Sequence, residues 1–139
     1  MGFKQPDLVP LGDPSPTLPA AKNNVIKAIQ VTRTESGAQV KAKLPAQASV
    51  IGVTYFGTTA SDATTSASIA VNLIRDGVTF STGTVDVKTN GTVTAIVNMT
   101  NLPNIQPTPL GGDIIVSTTK STSGAETTGG PFKFTISYV

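Results

Sequence analysis

Ser66-Ala67-Ser68-Ile69-Ala70-Val71-Asn72-Leu73-Ile74-Arg75-Asp76-Gly77-Val78-Thr79-Phe80-Ser81 holds the reading on which the fold turns. Ala67, Ile69, Val71 and Leu73 recur every second residue, the period of a strand with one buried face. Asp76-Gly77 follows at once, a pair suited to the two-residue turn whose central residues both need φ > 0. A strand, a tight turn and a returning strand imply antiparallel sheet.

The same alternation extends in both directions. Upstream, residues 25–33 are rich in strand formers, and Glu35-Ser36-Gly37 marks a turn. Residues 39–44 follow, with Val40, Ala42 and Leu44 expected on one face and Lys41 and Lys43 on a wet one. Pro45 stops that strand, and Ile51, Val53 and Tyr55 mark another over residues 49–56. Downstream, Gly83 separates residues 78–81 from 84–89, and Asn90-Gly91 suggests a second hairpin into residues 92–100. A Pro-rich loop spans residues 102–112, and a strand is expected over 113–119. Ser, Thr and Gly fill a loop at 120–130. The last strand sets Phe132, Phe134, Ile136 and Tyr138 on one side. Eight or nine strands and no helix predict an all-β fold, an antiparallel β-sandwich or jelly roll over residues 24–139.

Residues 1–23 differ in kind. Five of the ten prolines, Pro6, Pro10, Pro14, Pro16 and Pro19, fall in this stretch, a density at which neither a helix nor a ladder persists. An extended amino-terminal arm is expected, spanning on the order of 60–70 Å at ~3.1 Å per residue. Phe3, Leu8, Val9, Leu11 and Leu18 stud it with apolar side chains that a solubilising tail does not need. Ordering such an arm requires about 1,000 Å² or more of apolar burial, more than one small domain offers. These five residues are therefore candidate contacts to a large partner. The aromatic stripe of Phe132, Phe134, Ile136 and Tyr138 is expected to form the inner face of the sandwich or a candidate oligomer interface, where aromatics are enriched.

Composition narrows the chemistry. The 139 residues carry 10 basic and 8 acidic side chains, a net charge of +2, with 13% charged residues and 22 threonines. His, Cys and Trp are absent, which removes thiolate and imidazole metal sites, Cys nucleophiles and His-based triads. Asp76, Asp86 and Asp113 lie near strand ends but show no calcium-loop spacing, and Gly111-Gly112 opens no helix that would bind phosphate. No catalytic residue, metal or cofactor is expected, and the chain is not expected to be an enzyme. Lys41 and Lys43 are too few to track a nucleic-acid backbone. No apolar run approaches the ~20 residues of a membrane helix, and no signal peptide is visible.

From Asp76 onward the order of features resembles the trimeric jelly rolls of the TNF/C1q-like type. The likeness lies in the Asp76-Gly77 hairpin, the strand ending near Thr100, Leu110-Gly111-Gly112-Asp113-Ile114-Ile115-Val116, and the aromatic strand closing on Tyr138-Val139. The Thr/Ser/Gly/Val-rich, cysteine-free composition and the Pro-rich arm resemble tailed-phage capsid decoration (cement) proteins and head fibres. That resemblance implies a homotrimer on the outer capsid surface of a virion, made in the host cytoplasm. Its partner would be the major capsid protein, and its arms would clamp neighbouring capsid subunits and stabilise the shell. A fibre-tip or adhesin module binding a host glycan or protein through residues 57–65 and 120–130 is the alternative, weakened by the lack of Trp.

Overall fold

A computed structural model describes residues 24–90, 92–102 and 112–139. The candidate arm residues Phe3, Leu8, Val9, Leu11 and Leu18, and most of the Pro-rich loop, lie outside the described residues. Eight strands appear in chain order: β1 (Val25–Val31), β2 (Gly37–Leu44), β3 (Val50–Gly57), β4 (Ser66–Arg75), β5 (Val78–Asp86), β6 (Thr94–Val97), β7 (Ile114–Ser123) and β8 (Phe132–Tyr138). They build two four-stranded antiparallel sheets, ordered β1-β8-β3-β6 and β2-β7-β4-β5.

Strand pairing is nested. β4 pairs with β5, β3 with β6, β2 with β7 and β1 with β8, so the chain folds as one long hairpin rolled across itself. That is the connectivity of a jelly roll, and the all-β sandwich expectation holds. Its innermost turn is the one the sequence marks: Asp76 and Gly77 have φ of 53° and 78°, both positive as the tight hairpin requires.

The core lies between the sheets. Val53, Tyr55, Phe132, Phe134 and Ile136 from one face Leu44, Ile69, Val71, Leu73, Ile114 and Val116 from the other, all buried. Tyr55 and Phe134 meet as tilted rings, centroids 5.1 Å apart at 53°, a favourable geometry for ring quadrupoles. Burial pushes the Tyr55 phenol up to about 12. Three of the four stripe residues, Phe132, Phe134 and Ile136, are thus spent on this interior and offer no surface as an oligomer interface. Tyr138 alone remains partly exposed.

Four expectations are corrected. Gly83 does not break a strand, because β5 runs through it, and the described residues form eight strands, the lower of the two expected counts. A Cβ there would lie 2.6 Å from Met99 Sδ and 2.8 Å from Val97 Cγ1, so glycine admits a close approach of the segment following β6. Gly91 lies outside the described residues, but the strands on either side of it do not pair as a hairpin: β5 and β6 belong to different sheets, and Asp86 Oδ1 turns the chain after β5 by accepting from Lys88 N–H and Thr89 N–H. Val40 is 69% exposed, not inward, since a register shift between Val40 and Ala42 reverses the alternation. Finally, β7 extends to Ser123, which places Lys120 on a strand and in the interior.

Candidate functional site

Two surfaces carry features beyond those a core requires. The first is the end of the sandwich where residues 58–65, between β3 and β4, meet residues 124–131, between β7 and β8. The two loops to which the adhesin alternative assigns receptor binding are bonded to each other. Thr64 and Thr65 N–H donate to Ala125 and Ser123 carbonyls at 3.0 and 3.1 Å, Asp62 N–H to Thr128 O at 3.1 Å, and Gly130 N–H to Thr59 O at 2.8 Å. The Asp62 carboxylate accepts from Thr127 N–H at 2.7 Å, Thr127 Oγ1 at 2.5 Å and Thr128 N–H at 2.9 Å. These donors, the Thr127 hydroxyl foremost, hold the Asp62 carboxyl well below the usual carboxylate range.

Beneath this brace sits a buried ion pair. Lys120 Nζ lies 2.6 Å from Glu126 Oε1, with side chains only 2% and 8% exposed. Ser61 Oγ donates to the other carboxylate oxygen, Oε2, and Arg33 Nη1 reaches the Glu126 carbonyl at 3.3 Å. Both carboxylate oxygens are therefore occupied, and the group stitches β7, the β3–β4 loop and the β7–β8 loop together. Sequence reasoning missed this pair because Lys120 and Glu126 stood in a stretch read as loop. The one available signal was Lys120 continuing the alternation Ile114, Val116, Thr118.

The second surface is the outer face of the sheet β1-β8-β3-β6. Register places Ala28, Thr135, Thr54 and Ile96 in one row across the four strands, flanked by a row of Gln30, Lys133, Phe56 and Thr94. Ile26, Ser137 and Gly52 continue it toward the start of β1. A shallow concavity of about 600 Å³ runs over Ala28, Gln30, Thr54, Phe56, Lys133 and Thr135. Ile96 is 83% exposed, Ile26 58% and Phe56 47%. Lys133 is the one charge in these three rows. A strand interior alone needs none of these apolar groups to face outward.

The other candidate residues stay apart. Asp76 Oδ1 accepts from Gly112 N–H at 3.1 Å, tying the β4–β5 turn to the entry of β7, and Asp86 caps its own turn. Lys41, at 2.6 Å from Glu35, is paired while Lys43 is exposed. Among the described residues no three acidic side chains gather as a cation site, and no described helix is long and apolar enough to cross a membrane. Comparison of the chain with protein-family models, with curated proteins and with solved structures finds no match.

Proposed function

We propose that this chain is a structural virion protein, a capsid decoration or cement protein. It binds the outer surface of a tailed-phage shell as a homotrimer, and its amino-terminal arm clamps neighbouring copies of the major capsid protein. The observation that carries the reading is the character of the exterior. Val25, Ile26, Val40, Ile51, Phe56, Val78, Val93 and Ile96 are all exposed, in a chain with 13% charged residues. Such a surface favours lasting coverage by a large neighbour over free diffusion. A jelly roll accommodates this role, although the fold alone assigns none.

The arm adds reach. It joins the domain at β1, an edge strand of its sheet. Three arms in one trimer would multiply weak individual contacts through effective concentration.

The test has two parts. Light scattering of the purified protein should give three times 14.2 kDa. The full chain should co-sediment with emptied shells of the virus whose genome carries it, whereas a chain lacking residues 1–20 should stay in the supernatant with its β-sheet circular dichroism intact. A monomer, or unchanged shell binding by the truncated chain, rejects the proposal.

A further inference from the structure

We propose that the concave outer face of β1-β8-β3-β6 is a binding site for residues 7–13 of the chain's own amino-terminal arm. The site would take a proline-containing segment with apolar residues between two acids. Three observations on this molecule converge on that occupant.

The first is chemical match. The face offers Phe56, Ile96, Ile26 and Ala28 around a single cation, Lys133, and no carboxylate lies in its three rows. The arm's only acidic residues are Asp7 and Asp13, and between them stand Leu8, Val9, Pro10 and Leu11. Apolar groups would cover Phe56 and Ile96 while either flanking carboxylate reaches Lys133. Proline-containing segments suit shallow aromatic grooves because they have little backbone freedom left to lose.

The second is reach. The arm departs from Val25, beside the row of Ile26, Ser137 and Gly52. Lys133 and Phe56 lie about 17 Å along the sheet at ~3.3 Å per strand residue, and about 5 and 10 Å across it at ~4.8 Å per strand. Residues 14–23 span roughly 30 Å in polyproline geometry, enough to carry residues 7–13 back over the face. The third is tethering: a linker of this length holds the segment at about millimolar effective concentration, which favours the chain's own arm over one in solution. Docking orders seven residues rather than the whole arm, so it needs only about a third of the burial that the whole arm requires, and the occupied face would shelter Phe56 and Ile96 in the free protein. It does not rest on the capsid reading, because it concerns the isolated chain.

The chain has no cysteine, so paired cysteines report the contact cleanly. In the full-length protein, Leu11→Cys with Thr54→Cys on the concave face is compared with Leu11→Cys with Thr84→Cys on the outer face of the other sheet. Under mild oxidation the first pair should close an intramolecular disulfide roughly tenfold faster than the second, at a rate independent of protein concentration. Adding Lys133→Glu should slow it severalfold, and Asp7→Lys with Asp13→Lys in that background should restore it. Retained circular dichroism confirms that each variant is folded. Equal rates for the two faces overturn the proposal, as does indifference to Lys133→Glu. A disulfide that forms only between chains assigns the face to a second copy and overturns it equally.

Discussion

Replacing Lys120 with Met should be among the most damaging single changes available to this domain. Lys120 and Glu126 are almost wholly removed from water and lie 2.6 Å apart. Taking away the ammonium leaves a carboxylate in the interior with the Ser61 hydroxyl as its remaining side-chain donor. Breaking a buried pair in this way typically destabilises by about 3–5 kcal/mol, and the retained Ser61 bond places this case near the lower figure. For a domain of this size that is roughly 10–15 °C in Tm. Urea unfolding followed by circular dichroism measures it directly. Lys120→Met with Glu126→Leu, which removes both charges, should recover most of the loss, because a buried pair replaced whole by apolar groups is often neutral. The cycle should give a coupling of about 2 kcal/mol or more, little changed by salt since the pair is shielded. A single variant within about 1 kcal/mol of the parent, or a double variant as unstable as the two single changes added together, would refute the reasoning.

Further outcomes follow from other residues. Gly83→Ala drives a Cβ to within 2.9 Å of the Asn98 carbonyl as well as the two side chains beyond it, and should lower stability by about 1–3 kcal/mol in the same assay. Thr118, 1% exposed, has an Oγ1 with no hydrogen-bond partner among the described residues, so Thr118→Val should raise stability by about 1 kcal/mol. Asp62 titrates below its unfolded value of about 3.9. Its contribution is full above that value and falls as pH drops toward the folded one. Stability curves of the parent and of Asp62→Ala should therefore be separated above about pH 5 and converge below about pH 4; parallel curves would contradict the assignment.

Local patterns reached some features and not others. The run from Ala67 to Leu73 and the Asp76-Gly77 turn were legible because alternation and positive φ are properties of neighbouring residues. The exposed position of Val40 was not, because one residue bulged against β7 shifts the phase and leaves no trace in the spacing. Gly83 and Asn90-Gly91 misled for a related reason. Glycine in a strand can mean a break or a close approach, and only Met99 and Val97 on a distant segment decide. The aromatic stripe was legible as apolar, but whether it met a partner depended on how many core positions the opposite sheet could fill. The bonding of residues 58–65 to residues 124–131 links positions more than 60 apart, beyond the range of any periodicity.

Nested pairing also fixes an order of events on the ribosome. The β4–β5 hairpin needs only a two-residue loop, whereas β1 finds its partner across almost the whole domain, since Val25 lies opposite Tyr138. Loop-closure entropy makes the wide pairings late unless inner ones have already drawn the ends together. The first strand synthesised is therefore the last to be enclosed, and it stays unpaired until the carboxyl-terminal residues have emerged. Because the arm precedes that strand, truncated products ending before β8 leave β1 without its sheet partner and β3 with an open edge. Such fragments are expected to aggregate, so the outer pair of strands can close only once β8 has been made.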